Sequence, residues 1–205
     1  MGSIILRSLL FATFLEAPAA CADDPRKLVD SAVAVAGGAD KLPRIFRWKE
    51  TYFVGPSTAA KGEPREAILV PPNQWYQAGK DIAAGNQDRT EKTYLVWVWT
   101  LAPLLDPESK LKALPDAKLG DKMIKGVRLT REKQKDIDVY FEAESSKLAR
   151  IDWRDYQIDF ADWKESAGFK YPAKSFVRFK DGLLHLRTEF QVLEVLLELP
   201  KDLKK

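Results

Sequence analysis

Short runs of alternating apolar and polar residues follow one another through the second half of the chain. In the clearest run, Tyr156, Ile158 and Phe160 alternate with Gln157 and Asp159. A period of two places such residues on opposite faces of a β-strand. Because turn residues separate these runs, the pattern predicts a meander of antiparallel strands. The predicted strands are 126–130, 136–141, 148–153, 156–160, 171–179 and 183–190.

Three further strands are predicted before the meander, at 46–54, 65–70 and 74–78. Gly55-Pro56 and Pro71-Pro72 end the first two, because glycine and proline interrupt a strand. The polar segment 57–64 between them predicts a mobile loop. Residues 107–125 are polar and contain several proline and glycine residues, which predicts a long loop before the meander.

Two segments have helical periodicity instead. Asp24-Pro25 is typical of a helix start and Gly37-Gly38 of a helix end. Between 86 and 105 the apolar residues follow an i, i+3, i+4 pattern, whereas a strand over 94–99 would be apolar on both faces. We therefore predict a helix here, with an end near Leu101. The segment 193–203 fits either a last strand or a short helix.

Residues 1–22 have the pattern of a secretory signal peptide that is cleaved after Ala22. Arg7 precedes an apolar run over 8–15, which is shorter than the roughly 20 residues that span a bilayer. A buried N-terminal helix is the alternative. Cys21, the only cysteine, is alternatively the lipid-bearing residue of a bacterial lipoprotein, but the leucine expected three positions earlier is missing. We expect residues 23–205 to form one domain with no transmembrane span.

The amino-acid composition limits the kinds of binding and catalytic sites that the chain can form. The 33 basic and 30 acidic residues are spread along the chain, so no one-sided basic surface for nucleic acid is expected. With one histidine, His185, and one cysteine, the usual zinc, Ser-His and Cys-His sites are unavailable. We expect His185 to face solvent, and we expect no metal and no cofactor. Several strand aspartates are also predicted to face water, with paired-carboxylate catalysis as the alternative: Asp136, Asp138, Asp152, Asp155, Asp159 and Asp162.

The order of elements resembles the LolA/LolB-like fold of outer-membrane lipoprotein-sorting proteins, in particular its divergent secreted members. The resemblance is carried by Gly37-Gly38-Ala39, Trp48-Lys49-Glu50, 104–107, the hairpin 126–141 and the run 160–172. It implies a mainly β (α+β) fold. In that fold an incomplete antiparallel β-barrel is wrapped around the N-terminal helix and a central plug helix at 86–105.

The resemblance also implies an apolar cavity between sheet and helix, which in the characterised members holds the acyl chains of a lipoprotein. Candidate lining residues are mostly aromatic: Trp48, Tyr52, Trp75, Trp97, Trp99, Ile151, Trp153, Tyr156, Phe160, Phe176 and Phe190. The alternative is that these side chains fill a closed core. The sequence contains no clear counterpart of the arginine that holds the lid closed in the carriers.

These observations predict a non-catalytic, monomeric protein of the periplasm, or a secreted one, that binds a lipid or a lipoprotein acyl chain. The alternative is an interaction or sensor module of the same fold, with a filled core and a partner protein in the cell envelope.

Overall fold

The computed structural model describes residues 24–57 and 61–203. Within these ranges, twelve strands form one antiparallel sheet, and the helices lie on one side of it. The predicted signal peptide, Cys21 and part of the loop 57–64 lie outside the described residues. The sheet does not close, because the strands at its two ends do not pair with each other.

The strands are numbered in chain order, and two helices lie in the long connection between the fourth and fifth strands. They are β1 (Ile45–Val54), β2 (Glu63–Val70), β3 (Gln74–Gln77), β4 (Lys80–Asp81), β5 (Lys110–Ala113), β6 (Ala117–Leu119), β7 (Lys122–Thr130), β8 (Ile137–Glu142), β9 (Leu148–Trp153), β10 (Tyr156–Ser166), β11 (Phe169–Phe179) and β12 (Leu184–Leu196). Their order across the sheet is β4-β3-β2-β1-β12-β11-β10-β9-β8-β7-β5, and β6 pairs with β7. The predicted meander is confirmed as β7 to β12, and β12 joins it to β1.

The first helix, α1 (Pro25–Val35), begins and ends as predicted. The carboxylate of Asp24 accepts a hydrogen bond from the backbone N–H of Arg26 at 2.9 Å. After the helix, Gly37 has φ +116° and lies so close to the β10–β11 turn that a Cβ would be 2.0 Å from the carbonyl oxygen of Gly168. Glycine is therefore required at position 37 for both its backbone conformation and this contact.

The predicted central helix is confirmed as α2 (Gln87–Val98), capped by the side chain of Asn86, which accepts from the backbone N–H of Arg89 at 3.0 Å. The helix ends three residues before Leu101. That residue has a left-handed conformation, with φ +65°, and the chain turns there into the single-turn helix α3 (Ala102–Leu105). Pro103 lies in the first turn of α3, where a missing N–H leaves no bond unmade.

Arginines from the turns of the sheet hold α2 and α3 in place. Arg154, in the β9–β10 turn, donates to Asp88 at 3.0 Å and to Glu91. Arg131, after β7, donates to Asp106 at 2.7 Å and to Glu108 at 2.6 Å. The helical segment is thus fixed to the meander near both of its ends.

The long loop predicted over 107–125 is wrong, because β5, β6 and the start of β7 lie there. These are short strands at the edge of the sheet. In β5, exposed Lys110 and Lys112 alternate with half-buried Leu111 and Ala113. Lysine-rich short strands are typical of a protected edge and give too little apolar periodicity to be recognised.

For residues 193–203 the sequence predicts a last strand or a short helix, and each alternative is correct for part of the segment. Strand β12 continues to Leu196, and a 3₁₀ turn spans Lys201–Leu203. No helix in the described part of the chain is long and apolar enough to cross a bilayer.

Candidate functional site

A cavity of about 220 Å³ lies between α2 and the side of the sheet that faces the helices. Strands β1, β2, β3 and β9 to β12 contribute to its walls. Its apolar lining is rich in aromatic rings and consists of Trp48, Trp75, Leu95, Val96, Trp99, Trp153, Tyr156, Ile158, Val177, Leu186 and Phe190. Its polar lining is made by Glu50, Arg65, Arg89, Lys92, Ser175, His185 and Thr188.

One stripe of α2 forms the cover of this cavity. Arg89, Lys92, Val96 and Trp99 line it at helical spacing, with the two basic residues in the first half of the helix. The neighbouring stripe, which includes Tyr94 and Val98, is buried in the core. The helix therefore presents a cationic end and an apolar end to the same cavity.

A buried ion pair lies in the wall formed by β1 and β2. Glu50 is 2% exposed, and its carboxylate accepts a hydrogen bond from the indole N–H of Trp48 at 2.9 Å. The guanidinium of Arg65 donates to the same carboxylate oxygen. Arg65 also lies over the ring of Trp75, with 5.6 Å from Cζ to the ring centroid. The pair brings two charges into the wall while leaving it close to neutral.

Arg89 also lies near the indole of Trp75. Its Cζ is 5.9 Å from the centroid of Trp75, and within residues 24–57 and 61–203 no carboxylate pairs with it. Lys92 differs, because its ammonium group lies 2.6 Å from the carboxylate of Asp88. Arg89 is therefore a half-buried cation of the cavity wall with an aromatic neighbour and no anionic partner among the described residues.

The prediction that His185 faces solvent is wrong. The imidazole is half-buried, lies 4.8 Å from the ring of Phe179 and 5.6 Å from that of Tyr156, and lines the cavity. The cause is an irregularity between β11 and β12, where Val177 pairs with Leu186 but Arg178 pairs with Leu184. His185 is thus the extra residue of a bulge, which the alternation of the sequence does not reveal.

The structure brings together six of the eleven residues predicted to line a cavity: Trp48, Trp75, Trp99, Trp153, Tyr156 and Phe190. The other five lie elsewhere. Ile151 and Phe160 are buried in the core, and Trp97 packs on Tyr94 and below Arg131. Tyr52 lies toward the end of β1 and donates to Glu63, and Phe176 follows the cavity-lining Ser175 on the opposite face of β11.

A smaller apolar cavity of about 20 Å³ adjoins the first one. The two share Trp48, Val96, Trp99 and Phe190 as lining residues. Beyond this shared wall the smaller cavity is lined by Phe46, other apolar or aromatic side chains and Thr100. The apolar end of the main cavity therefore adjoins a second space that the side chains do not fill completely.

The strand aspartates lie outside the cavity. Asp138, Asp159 and Asp162 each pair with a base, namely Arg128 at 2.6 Å, Arg150 at 2.7 Å and Lys174 at 2.6 Å. Asp152 lies opposite Asp138 in the register of β8 and β9, and burial raises the pKa of its carboxyl group. The three ion pairs lie on the face of the sheet that is turned away from the helices, and Asp152 accepts a hydrogen bond from Gln157 at 3.4 Å. Within the described ranges, no three histidine, cysteine, aspartate or glutamate residues come together as metal ligands.

Comparison with known proteins rests on structure alone, because no family profile and no curated protein matches the sequence. A LolA superfamily protein from Nitrosomonas europaea superposes with a TM-score of 0.55 at 8% identity, covering 88% of this chain and 97% of its own. A Vibrio parahaemolyticus protein described as an outer membrane lipoprotein-sorting domain gives 0.53 at 8% identity, covering 86% and 94%. The chain has the LolA-like fold.

A DUF1329 family protein from Desulfovibrio piger also matches, with a TM-score of 0.53 at 11% identity over 86% of this chain and 95% of its own. The fold predicted from the order of elements, an open LolA-like barrel around a plug helix, is therefore confirmed. In this LolA-like chain the cavity lies where α2 covers the sheet.

The charged residues of the cavity were not among the predicted lining residues. Arg65 occupies a strand position, and nothing in the local pattern separates it from a solvent-facing charge. The available signal for Glu50 was its position two residues after Trp48, which places both on one face of β1. Arg89 and Lys92 fall on the cavity stripe only once the rotation of α2 is known.

Proposed function

We propose that this protein binds an acyl chain in the cavity beneath α2, without catalysing a reaction. The observation that carries the proposal is a cavity of about 220 Å³ whose walls are mostly aromatic and aliphatic. Apolar walls with a few placed polar groups are typical of small-molecule sites. The LolA-like neighbours, one of which is described as a lipoprotein-sorting domain, support a ligand of this class.

The covering helix supports reversible binding. It is fixed to the sheet by the partly exposed ion pairs of Arg154 with Asp88 and Glu91, in addition to its apolar contacts. Surface ion pairs contribute only about 0–1 kcal/mol each. The N-terminal part of α2 therefore moves away from the sheet at low cost and admits a chain.

Tryptophan fluorescence tests this proposal directly, because four of the six tryptophans line the cavity. We expect ω-bromododecanol, a neutral single-chain alcohol whose bromine quenches indoles, to quench the fluorescence saturably. The protein is expressed from the full sequence and purified. Native mass spectrometry of the same sample identifies any lipid that copurifies.

A pair of matched variants locates the binding site. Val96→Trp fills the cavity from α2, and Val192→Trp adds the same ring at a position that is 46% exposed on β12. We expect quenching to be lost in Val96→Trp and retained in Val192→Trp; Leu186→Trp replaces the first variant if that one does not fold. Equal quenching in both, or no saturable quenching of the native protein, contradicts acyl-chain binding and favours an interaction module.

We further propose that the protein acts as a monomer in the periplasm after removal of residues 1–22. The LolA-like neighbours and the signal pattern support this location. The intact mass of protein recovered from the periplasm tests it. A mass that begins at Asp23 is expected, whereas an uncut chain or a lipid attached to Cys21 contradicts the proposed processing.

A further inference from the structure

The main cavity is polar at one end and apolar at the other. Along α2, the lining residues change from Arg89 and Lys92 to Val96 and Trp99. Arg89 and Trp99 are ten residues apart, which corresponds to about 15 Å at the rise of an α-helix. The cavity is therefore elongated along the helix, and its ends differ in charge.

The base at the polar end lacks an anionic partner. Arg65 is compensated by Glu50, and Lys92 by Asp88, but Arg89 is compensated by no carboxylate in the described part of the chain. A half-buried guanidinium is stabilised by a carboxylate, which its planar donors bind in a bidentate manner. The polar end thus has an unmatched positive charge beside the aromatic face of Trp75.

The size of the cavity limits the apolar part of the ligand. Its volume of about 220 Å³ is above the roughly 150 Å³ of a cavity that holds benzene and below the roughly 300–1,000 Å³ of sites for drug-sized ligands. One alkyl chain fits this space, whereas the several chains of a lipoprotein anchor do not. Lipoprotein binding would need α2 to move outward.

From these three observations we propose that the ligand is a single-chain fatty carboxylate. Its carboxylate binds Arg89 next to Trp75, and its alkyl chain runs along α2 toward Trp99 and Phe190. Arg65 remains paired with Glu50, so Arg89 alone is available to bind the head group. This inference rests on the proposed acyl-chain binding and specifies its ligand.

Two probes with the same alkyl chain distinguish acyl-chain binding from recognition of the carboxylate. ω-Bromododecanoate and ω-bromododecanol differ only in the head group, and quenching of the cavity tryptophans measures the Kd of each. We expect the carboxylate to bind at least roughly tenfold more tightly than the alcohol, because a hydrogen bond to a charged group contributes enough for this difference.

Matched variants assign the head-group site. Arg89→Gln removes the unmatched cation, and Arg44→Gln removes an exposed arginine outside the cavity, so both change the net charge equally. We expect Arg89→Gln to weaken carboxylate binding roughly tenfold and to leave alcohol binding unchanged, and Arg44→Gln to change neither. The melting temperature of each variant shows that it is folded.

The outcomes are distinct. If the alcohol binds but the carboxylate binds no tighter, or if Arg89→Gln and Arg44→Gln behave alike, the head-group assignment is overturned while acyl-chain binding stands. Tighter binding of dodecyl phosphate than of dodecanoate also overturns the assignment. If neither brominated probe quenches the native protein, both proposals fail together.

Discussion

Apolar and polar residues alternate along the strands in both halves of the sheet, but the side chains that face the helices differ between the two halves. In the closed half, β7, β8 and the first part of β9 present mostly aliphatic side chains toward the helices, and Val127, Ile137, Val139, Phe141 and Ile151 are completely buried. In the cavity half, β1, β3 and β12 present Trp48, Trp75 and Phe190 beside the charged and hydroxyl groups described above.

This difference shows how the shape of the side chains determines whether a region packs as a closed core or leaves a cavity. Branched aliphatic residues fill irregular space densely, as close-packed interiors require. Large planar rings that also flank an ion pair leave space between them, because the buried Glu50 and the half-buried Arg65 must keep their hydrogen bonds. We infer that the closed half supports the fold and that the cavity half carries the binding function.

The largest expected effect comes from one substitution made in both halves. Phe141→Ala empties a fully packed site and should cost about 3–5 kcal/mol of unfolding free energy. Phe190→Ala should cost clearly less, because part of the Phe190 ring already borders empty space and loses fewer contacts. Urea unfolding of both variants measures the difference. Equal costs would mean that the cavity half is packed as tightly as the closed half.

The next effect concerns the buried ion pair. Arg65→Met leaves the carboxylate of Glu50 buried without its base, and we expect a loss of about 3–5 kcal/mol. The double variant Arg65→Met/Glu50→Gln should recover most of this loss, because no isolated charge remains and the amide oxygen introduced at position 50 still accepts from Trp48. If the double variant is no more stable than the single one, the pair is a surface contact in solution.

The smallest effect concerns the attachment of α2 by Arg154. The ammonium group of Lys92, together with Arg154, lowers the pKa of Asp88. For Glu91, burial acts to raise the pKa, but hydrogen bonds from Gln87 and Arg154 outweigh it and the pKa is lowered. Because both carboxyl pKa values are lowered, these contacts stabilise the fold at pH values above the ordinary carboxyl pKa values of 3.8 and 4.5. This stabilisation is lost as the pH falls through the lowered pKa values.

We therefore expect Arg154→Ala to lower stability by up to about 1 kcal/mol at neutral pH and to increase amide exchange in α2. Below the lowered carboxyl pKa values the variant and the native protein should converge. Lys112→Ala, on the edge strand β5, serves as a control for removal of an exposed base. A difference that persists unchanged at low pH would show that Arg154 acts through packing on Trp153 and not through charge.

Much of the fold could be predicted from local patterns. The strands of the meander have clear alternation, and Asp24-Pro25 marks the start of α1. The edge strands β4, β5 and β6 could not be recognised because they are short and polar. Their pairing depends on β3 and β7, which the local sequence does not specify.

The site was predictable only in part, for two physical reasons. Alternation shows which residues share a face of a strand, but whether a residue lies in the core or in the cavity wall depends on the packing of several strands. For this reason Ile151 and Phe160 lie in the core, whereas Trp153 and Tyr156 line the cavity. The bulge at His185 reverses the predicted face of one side chain. The rotation of α2, which brings Arg89 to the cavity, is fixed by tertiary contacts alone.

A crystal structure of the protein with ω-bromododecanoate tests the central claim most directly, because the anomalous signal of bromine locates the end of the chain. We expect one bromine site inside the cavity, near Trp99 and Phe190, with the carboxylate at Arg89. An empty cavity, or bromine bound only on the outer surface, would contradict the conclusion that the space beneath α2 is a binding site.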